Sequence, residues 1–169
     1  MDLFLLRHGE AGKRMPIAAR DTERALTVAG RQEIEEVAEG VKELGYKFDT
    51  IVSSPLKRAK DTATIVNKAL GRNASVEVWA ELSPESSTRD FYRRLAKLRP
   101  GSVVLCVGHE PYLTTAIGEI TAREGETTQG YRIALKKGGL AKVSVTGFNP
   151  RISGELRWLL TPRQIRKMA

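Results

Sequence analysis

The chain has 169 residues, 41% of them hydrophobic and 28% charged, which is the size and make-up of a domain that buries a core without staples. Its single cysteine, Cys106, rules out an intrachain disulfide, and no run approaches the ~20 apolar residues of a membrane span. A formal charge of +8 and a pI of about 9.8 favour anionic partners, but the basic residues are spread along the chain and only 6% of residues are aromatic, so a phosphorylated substrate is expected rather than nucleic acid.

Leu3 to Leu6 is a continuous apolar run and predicts a first strand buried on both faces. The start, Met1-Asp2-Leu3-Phe4-Leu5-Leu6-Arg7, has no basic n-region and no long apolar core, so no signal peptide is expected, and the lack of disulfides makes a reducing cytoplasm the expected location. Thr27 can cap a helix running to about Leu44, with Ile34, Val37, Ala38, Val41 and Leu44 on one face and Gly45 as its stop. Thr50 to Val52 is a second strand. Ser54 as cap and Pro55 at the first position predict a helix from there to Leu70, ended by Gly71. Val76 to Trp79 is a third strand. Ser87 and Asp90 resemble a capping box before a helix carrying Phe91, Leu95 and Leu98. Val103 to Val107 is a fourth strand, and Cys106 within it reads as a small buried hydrophobe. Pro111 opens a helix with Leu113, Ala116, Ile117 and Ile120 inward. Tyr131–Leu135, Ala141–Thr146 and Leu156–Leu160 are further strands, and a short basic helix, Thr161 to Met168, follows. This alternation predicts an α/β fold over one domain, residues 1–169. It is a three-layer sandwich, with a mostly parallel central sheet, helices on both faces and some antiparallel pairing at one side.

Ligands of such sheets bind at the carboxyl ends of strands. Three polar clusters sit there: Arg7-His8-Gly9-Glu10, Ser53-Ser54-Pro55-Leu56-Lys57-Arg58 and Gly108-His109-Glu110-Pro111. Both histidines of the chain fall in them. Gly9 and Gly108 would let backbone approach a ligand, Gly9 being a candidate phosphate contact. Arg7 and Arg58 offer planar forks that match phosphate oxygens, Arg58 near a helix N-terminus that already favours anions. No H-x-x-x-H occurs and Arg7 beside His8 repels cations, so no metal is expected. No G-x-S-x-G elbow is present for a serine hydrolase.

Leu6-Arg7-His8-Gly9-Glu10, Leu26-Thr27 with Gly30, Ser54-Pro55-Leu56-Lys57-Arg58-Ala59 with Thr62, and Gly108-His109 together resemble the histidine phosphatase superfamily, also called phosphoglycerate mutase-like. Arg24-Ala25-Leu26-Thr27 and Glu81-Leu82-Ser83-Pro84 are most similar to its SixA branch, whose members act on protein phosphohistidine; that branch usually has proline where this chain has Ala25. The resemblance implies a nucleophilic His8 that becomes phosphohistidine and is then hydrolysed. Arg7, Arg58 and a protonated His109 would hold the phosphoryl oxygens, without metal or cofactor. Larger members carry a glutamic general acid after the third strand. Glu81 is the candidate here, the alternative being a loop carboxylate among arginines.

Three functions compete. The first is a protein phosphohistidine phosphatase. The second is a phosphomonoesterase or mutase acting on a small phosphorylated metabolite, and the third a non-enzymatic phosphate-binding module. Family mutases resemble longer chains with lids around the third strand. The short segment after Trp79 implies an open site suited to a phosphorylated protein, and both histidines argue against binding alone.

Overall fold

The computed structural model describes residues 1–14, 16, 21–72, 74–123 and 132–169. Its elements in chain order are β1 (Asp2–Arg7), α1 (Val28–Glu43), β2 (Thr50–Ser53), α2 (Lys57–Ala69), β3 (Glu77–Val78), a 3-10 turn (Ala80–Leu82), α3 (Thr88–Leu95), β4 (Val103–Gly108), α4 (Tyr112–Thr121), β5 (Leu140–Gly147), β6 (Ser153–Leu160) and α5 (Pro162–Arg166).

The pleat of β1 decides the layering, because successive side chains on a strand point to opposite faces. Leu3 and Leu5 join Cys106, Val143, Phe91, Leu95, Leu113 and Ile117 in a core under α3 and α4. Phe4 and Leu6 join Ile34, Val37, Val41, Ala63, Val66 and Ile165 in a second core under α1, α2 and α5. All four β1 side chains are fully buried, as a strand covered on both faces requires. The expected α/β sandwich is thus present. The strand order is β3-β2-β4-β1-β5-β6, with β3, β2, β4 and β1 parallel, β5 antiparallel to β1, and β6 antiparallel to β5. Register puts Arg7 opposite Gly108 and Ser53 opposite Val107, so β1, β2 and β4 end on one rim.

Several boundaries differ from the sequence reading. Thr27 does cap α1, its side chain accepting from Gly30 N at 2.9 Å. The helix after β2 starts at Lys57 instead of Pro55, with no side-chain cap. Ser87 precedes α3 without a side-chain cap bond, and Asp90 pairs with Arg93 at 2.9 Å, so no capping box forms there. The third strand shrinks to the two residues that pair with Val52 and Ser53. Residues 132–135 are not a strand, and Tyr131 lies outside the described residues. The capping box is found instead at α5, where Thr161 and Gln164 bond reciprocally. Cys106 is a buried free thiol whose pKa burial pushes up, consistent with a packing role. Among the described residues no helix is long and apolar enough to cross a membrane.

Candidate active site

His8 follows β1 directly. Its backbone N–H donates to the Gly108 carbonyl at 3.0 Å, which ties it to the end of β4. The side chain is only 7% exposed. Its Nδ1 lies 2.7 Å from the Gly9 carbonyl oxygen, which can only accept, so Nδ1 carries the proton. Arg58 Nε, which can only donate, lies 3.2 Å from Nε2, so Nε2 carries the lone pair. These contacts independently select one tautomer. Burial first, then the charges of Arg58, Arg7 and Arg24, push the His8 pKa down to about 4 against the opposing Gly9 bond. At neutral pH His8 therefore carries an unprotonated Nε2, whose lone pair accepts from Arg58.

Gly9 serves a different end from the one expected. Its N–H donates to Thr62 Oγ1 at 3.1 Å and its carbonyl accepts from His8, so its polar groups are taken before any phosphate arrives. A Cβ at Gly9 would lie 2.4 Å from Ile34 Cγ1, so glycine is needed there for packing on α1. Thr62, fully buried, also donates to the Arg58 carbonyl at 2.8 Å, linking the His8 turn to the start of α2.

Arg58 is 5% exposed, and its Nη1 donates to the Asp21 carbonyl at 3.0 Å and lies 3.3 Å from Asp21 Oδ2. Asp21 also pairs with Arg24 Nε at 2.8 Å, and Arg24 Nη1 donates to the Gly12 carbonyl at 2.9 Å. Burial, then the Arg24 charge, lowers the Arg58 pKa, while Asp21 opposes this. Arg7 Nη1 donates to the Leu135 carbonyl at 2.9 Å, and Arg7 Nε is buried without a partner.

His109 follows β4, and its ring centroid is 5.0 Å from that of His8. His109 Nε2 lies 2.8 Å from Ser54 Oγ, and Nδ1 is buried with no partner. Ser54 Oγ also accepts from the Leu56 N–H at 3.4 Å, so it closes the turn that precedes α2 rather than capping the helix itself. The resemblance implies a protonated His109, whereas the surroundings of the ring favour its neutral form. Burial, then the charges of His8, Arg58, Arg24 and Arg7, lowers its pKa to about 3, so the ring is neutral.

Glu81 is otherwise engaged. Both carboxylate oxygens accept from Arg94 Nη1, at 3.0 and 2.8 Å, and the Arg94 guanidinium lies 4.4 Å from the Trp79 ring centroid. Tyr112 donates its hydroxyl to the Glu81 carbonyl at 2.6 Å, fastening this turn to α4. The sequence reading missed Ser54 as the partner of His109 and Asp21 as the partner of Arg58. Thr62 and Arg24 stood in the quoted motifs without a role. Cavities of about 560 Å³ (beside α3 and the β5–β6 turn) and 430 Å³ (beside α4) are lined by neither histidine.

An unprotonated imidazole, two arginines and a second imidazole thus share one sheet rim. The family model of the histidine phosphatase superfamily (branch 1) matches residues 3–84. An uncharacterized protein of Picosynechococcus sp. is 34% identical over 143 residues, 83% of this chain and 82% of that protein. The chain belongs to the histidine phosphatase superfamily. Within it, the phosphohistidine phosphatase SixA of Escherichia coli is 29% identical over 171 residues, covering 100% of this chain and 98% of that one. The solved structure of the protein histidine phosphatase SixA complexed with tungstate superposes with a TM-score of 0.80 at 27% identity, covering 96% of this chain and 98% of that one. The chain is therefore a phosphatase of the SixA-type branch.

Proposed function

We propose that this protein hydrolyses phosphohistidine on a partner protein through a covalent phosphohistidine on His8, within one domain spanning residues 1–169. The observation that carries the reading is the His8 tautomer, which aims an unprotonated Nε2 into a cationic site. In the first step the Nε2 lone pair attacks phosphorus in line and the bond to the leaving group breaks. Arg58 Nε then exchanges its bond to Nε2 for a phosphoryl oxygen. Arg7 Nε and His109 Nδ1 are buried with no hydrogen-bond partner among the described residues, and a bound anion would satisfy both. With the Ser54 hydroxyl donating to Nε2 of His109, the ring proton sits on Nδ1 and points to that anion. In the second step water attacks the phosphohistidine, and His8 leaves as a neutral imidazole because Nδ1 keeps its proton against Gly9. Two displacements replace one hard one, and arginines stabilise the charge that spreads over the phosphoryl oxygens.

The relatives' names and the net charge of +8 support an anionic protein partner. The buried free thiol of Cys106 fits a cytoplasmic location. The test compares kcat/KM on a phosphohistidine-bearing domain and on an alkyl phosphate, with EDTA present throughout. The expected result is fast phosphohistidine turnover and slow ester hydrolysis, both indifferent to EDTA. Preference for the alkyl ester would move the assignment to a small phosphorylated metabolite. Loss of activity in EDTA, restored by a divalent ion, would overturn the metal-free mechanism.

A further inference from the structure

The carboxylates around the site differ in what holds them. Glu81 faces Arg94 at 2.8 Å, Glu10 faces Lys137 at 3.3 Å, Asp21 faces Arg24 at 2.8 Å, and Asp61 faces Lys57 at 3.5 Å. Glu110 forms no ion pair of this kind among the described residues. It follows His109 in the chain. Thr114 donates its hydroxyl to Glu110 Oε2 at 2.7 Å, which fixes the carboxyl against the first turn of α4. The other oxygen, Oε1, is buried and has no hydrogen-bond partner. The Arg7 guanidinium is the charged group that acts on it, and Arg7 Nε is itself buried and unpartnered. A buried carboxyl oxygen with no hydrogen-bond partner among the described residues, one position after His109 and within reach of the Arg7 charge, is costly to fold, and such groups concentrate where proton transfer is needed.

We propose that Glu110 is the proton-transferring catalytic residue of this site, a role that rests on the phosphatase reading of His8. In the first displacement on a phosphomonoester, the Nε2 lone pair forms the N–P bond. The P–O bond breaks with its electron pair going to the leaving oxygen, and that oxygen takes the proton of the Glu110 carboxyl. In the second displacement a water oxygen bonds to phosphorus while the P–N pair returns to Nε2. The departing water proton goes to the Glu110 carboxylate, which restores the starting state. A phosphohistidine substrate skips the first proton transfer, because an imidazole protonated on its far nitrogen leaves unaided. Burial raises the Glu110 pKa, against the lowering effects of Thr114 and Arg7, which is the direction a proton donor needs.

The test uses the full chain and its E110Q and E110D variants. Rates of His8 phosphorylation are measured on a series of aryl and alkyl phosphates of rising leaving-group pKa. Wild-type phosphoenzyme formation checks the His8 reading separately from the Glu110 role. The expected result for E110Q is a small loss on a nitrophenyl phosphate, growing to about 10²–10⁴-fold on alkyl phosphates. The pH dependence of the alkyl reaction should flatten, and E110D should recover part of the rate. An equal loss on every ester, with the pH profile unchanged, would assign Glu110 a packing role and overturn the proposal. So would E110Q with wild-type rates throughout.

Discussion

The contact between His8 Nδ1 and the Gly9 carbonyl fixes which ring nitrogen carries the lone pair, and burial together with the arginines around it keeps that nitrogen unprotonated. The sign follows from the direction of the shift. Both histidines have folded pKa values pushed below the ordinary 6.5, to about 4 and about 3, so both stay neutral as pH falls through 6.5 and protonate only in stronger acid. With two histidines in the chain, the long-range proton–nitrogen NMR spectrum is simple. It should give His8 as the Nδ1–H tautomer and show no midpoint near pH 6.5 for either ring; a midpoint there would contradict the burial argument. Arg58→Ala removes the donor that touches Nε2, and should lower kcat by about 10²–10³-fold, the usual loss for one preorganised donor. Arg157→Ala, an exposed arginine on β6 paired with Glu155, is the control and should leave kcat near wild type. Equal losses would mean that bulk charge rather than geometry drives turnover. Arg7, His8, Arg58 and His109 could be grouped from the sequence because each ends or follows a strand, or lies in the first turn of a helix, at one rim. Ser54 against His109 and Asp21 against Arg58 were not, because both contacts join residues far apart in sequence.

At the scale of elements, the turn after β1 is clamped on α1. A Cβ on Gly30 would lie 2.1 Å from the Glu10 carbonyl oxygen, a fixed backbone atom. Gly30→Ala should therefore destabilise the fold by about 1–3 kcal/mol in denaturant titration, the range for overpacking. Gly12→Ala is the comparison. Among the described residues its Cβ would approach only Arg24 Cγ, at 4.0 Å, and it should cost far less. Similar costs would show that the clamp is loose. The same clamp explains why local rules worked for α1, whose apolar spacing and Thr27 cap agree with its packing. They failed at Ser54, whose hydroxyl accepts from Leu56 N–H in the turn before α2 while also meeting His109, and at residues 132–135. There the apolar pattern resembles a strand, but the Leu135 carbonyl is spent on Arg7 rather than on a sheet partner. The short third strand has the same origin. Only Glu77 and Val78 pair with β2, and Trp79 turns inward to stack near Phe91 and under Arg94.

On the scale of the whole molecule, two cores on opposite faces of one sheet hold β1 and β4 rigidly side by side, and the site is built where they end. Catalytic groups set on a fixed rim keep their geometry better than groups on loops alone. The excess of positive charge, +8 overall, raises the local concentration of anionic substrates, an effect that weakens with salt. All of this converges on one covalent event at one atom. Rapid acid-free quenching of the enzyme with labelled phosphorylated substrate tests it most directly. The account predicts label that is stable in base, labile in acid, located on His8 and absent from His8→Ala. Stable turnover by His8→Ala, or label that survives acid as an ester of serine or threonine would, contradicts it.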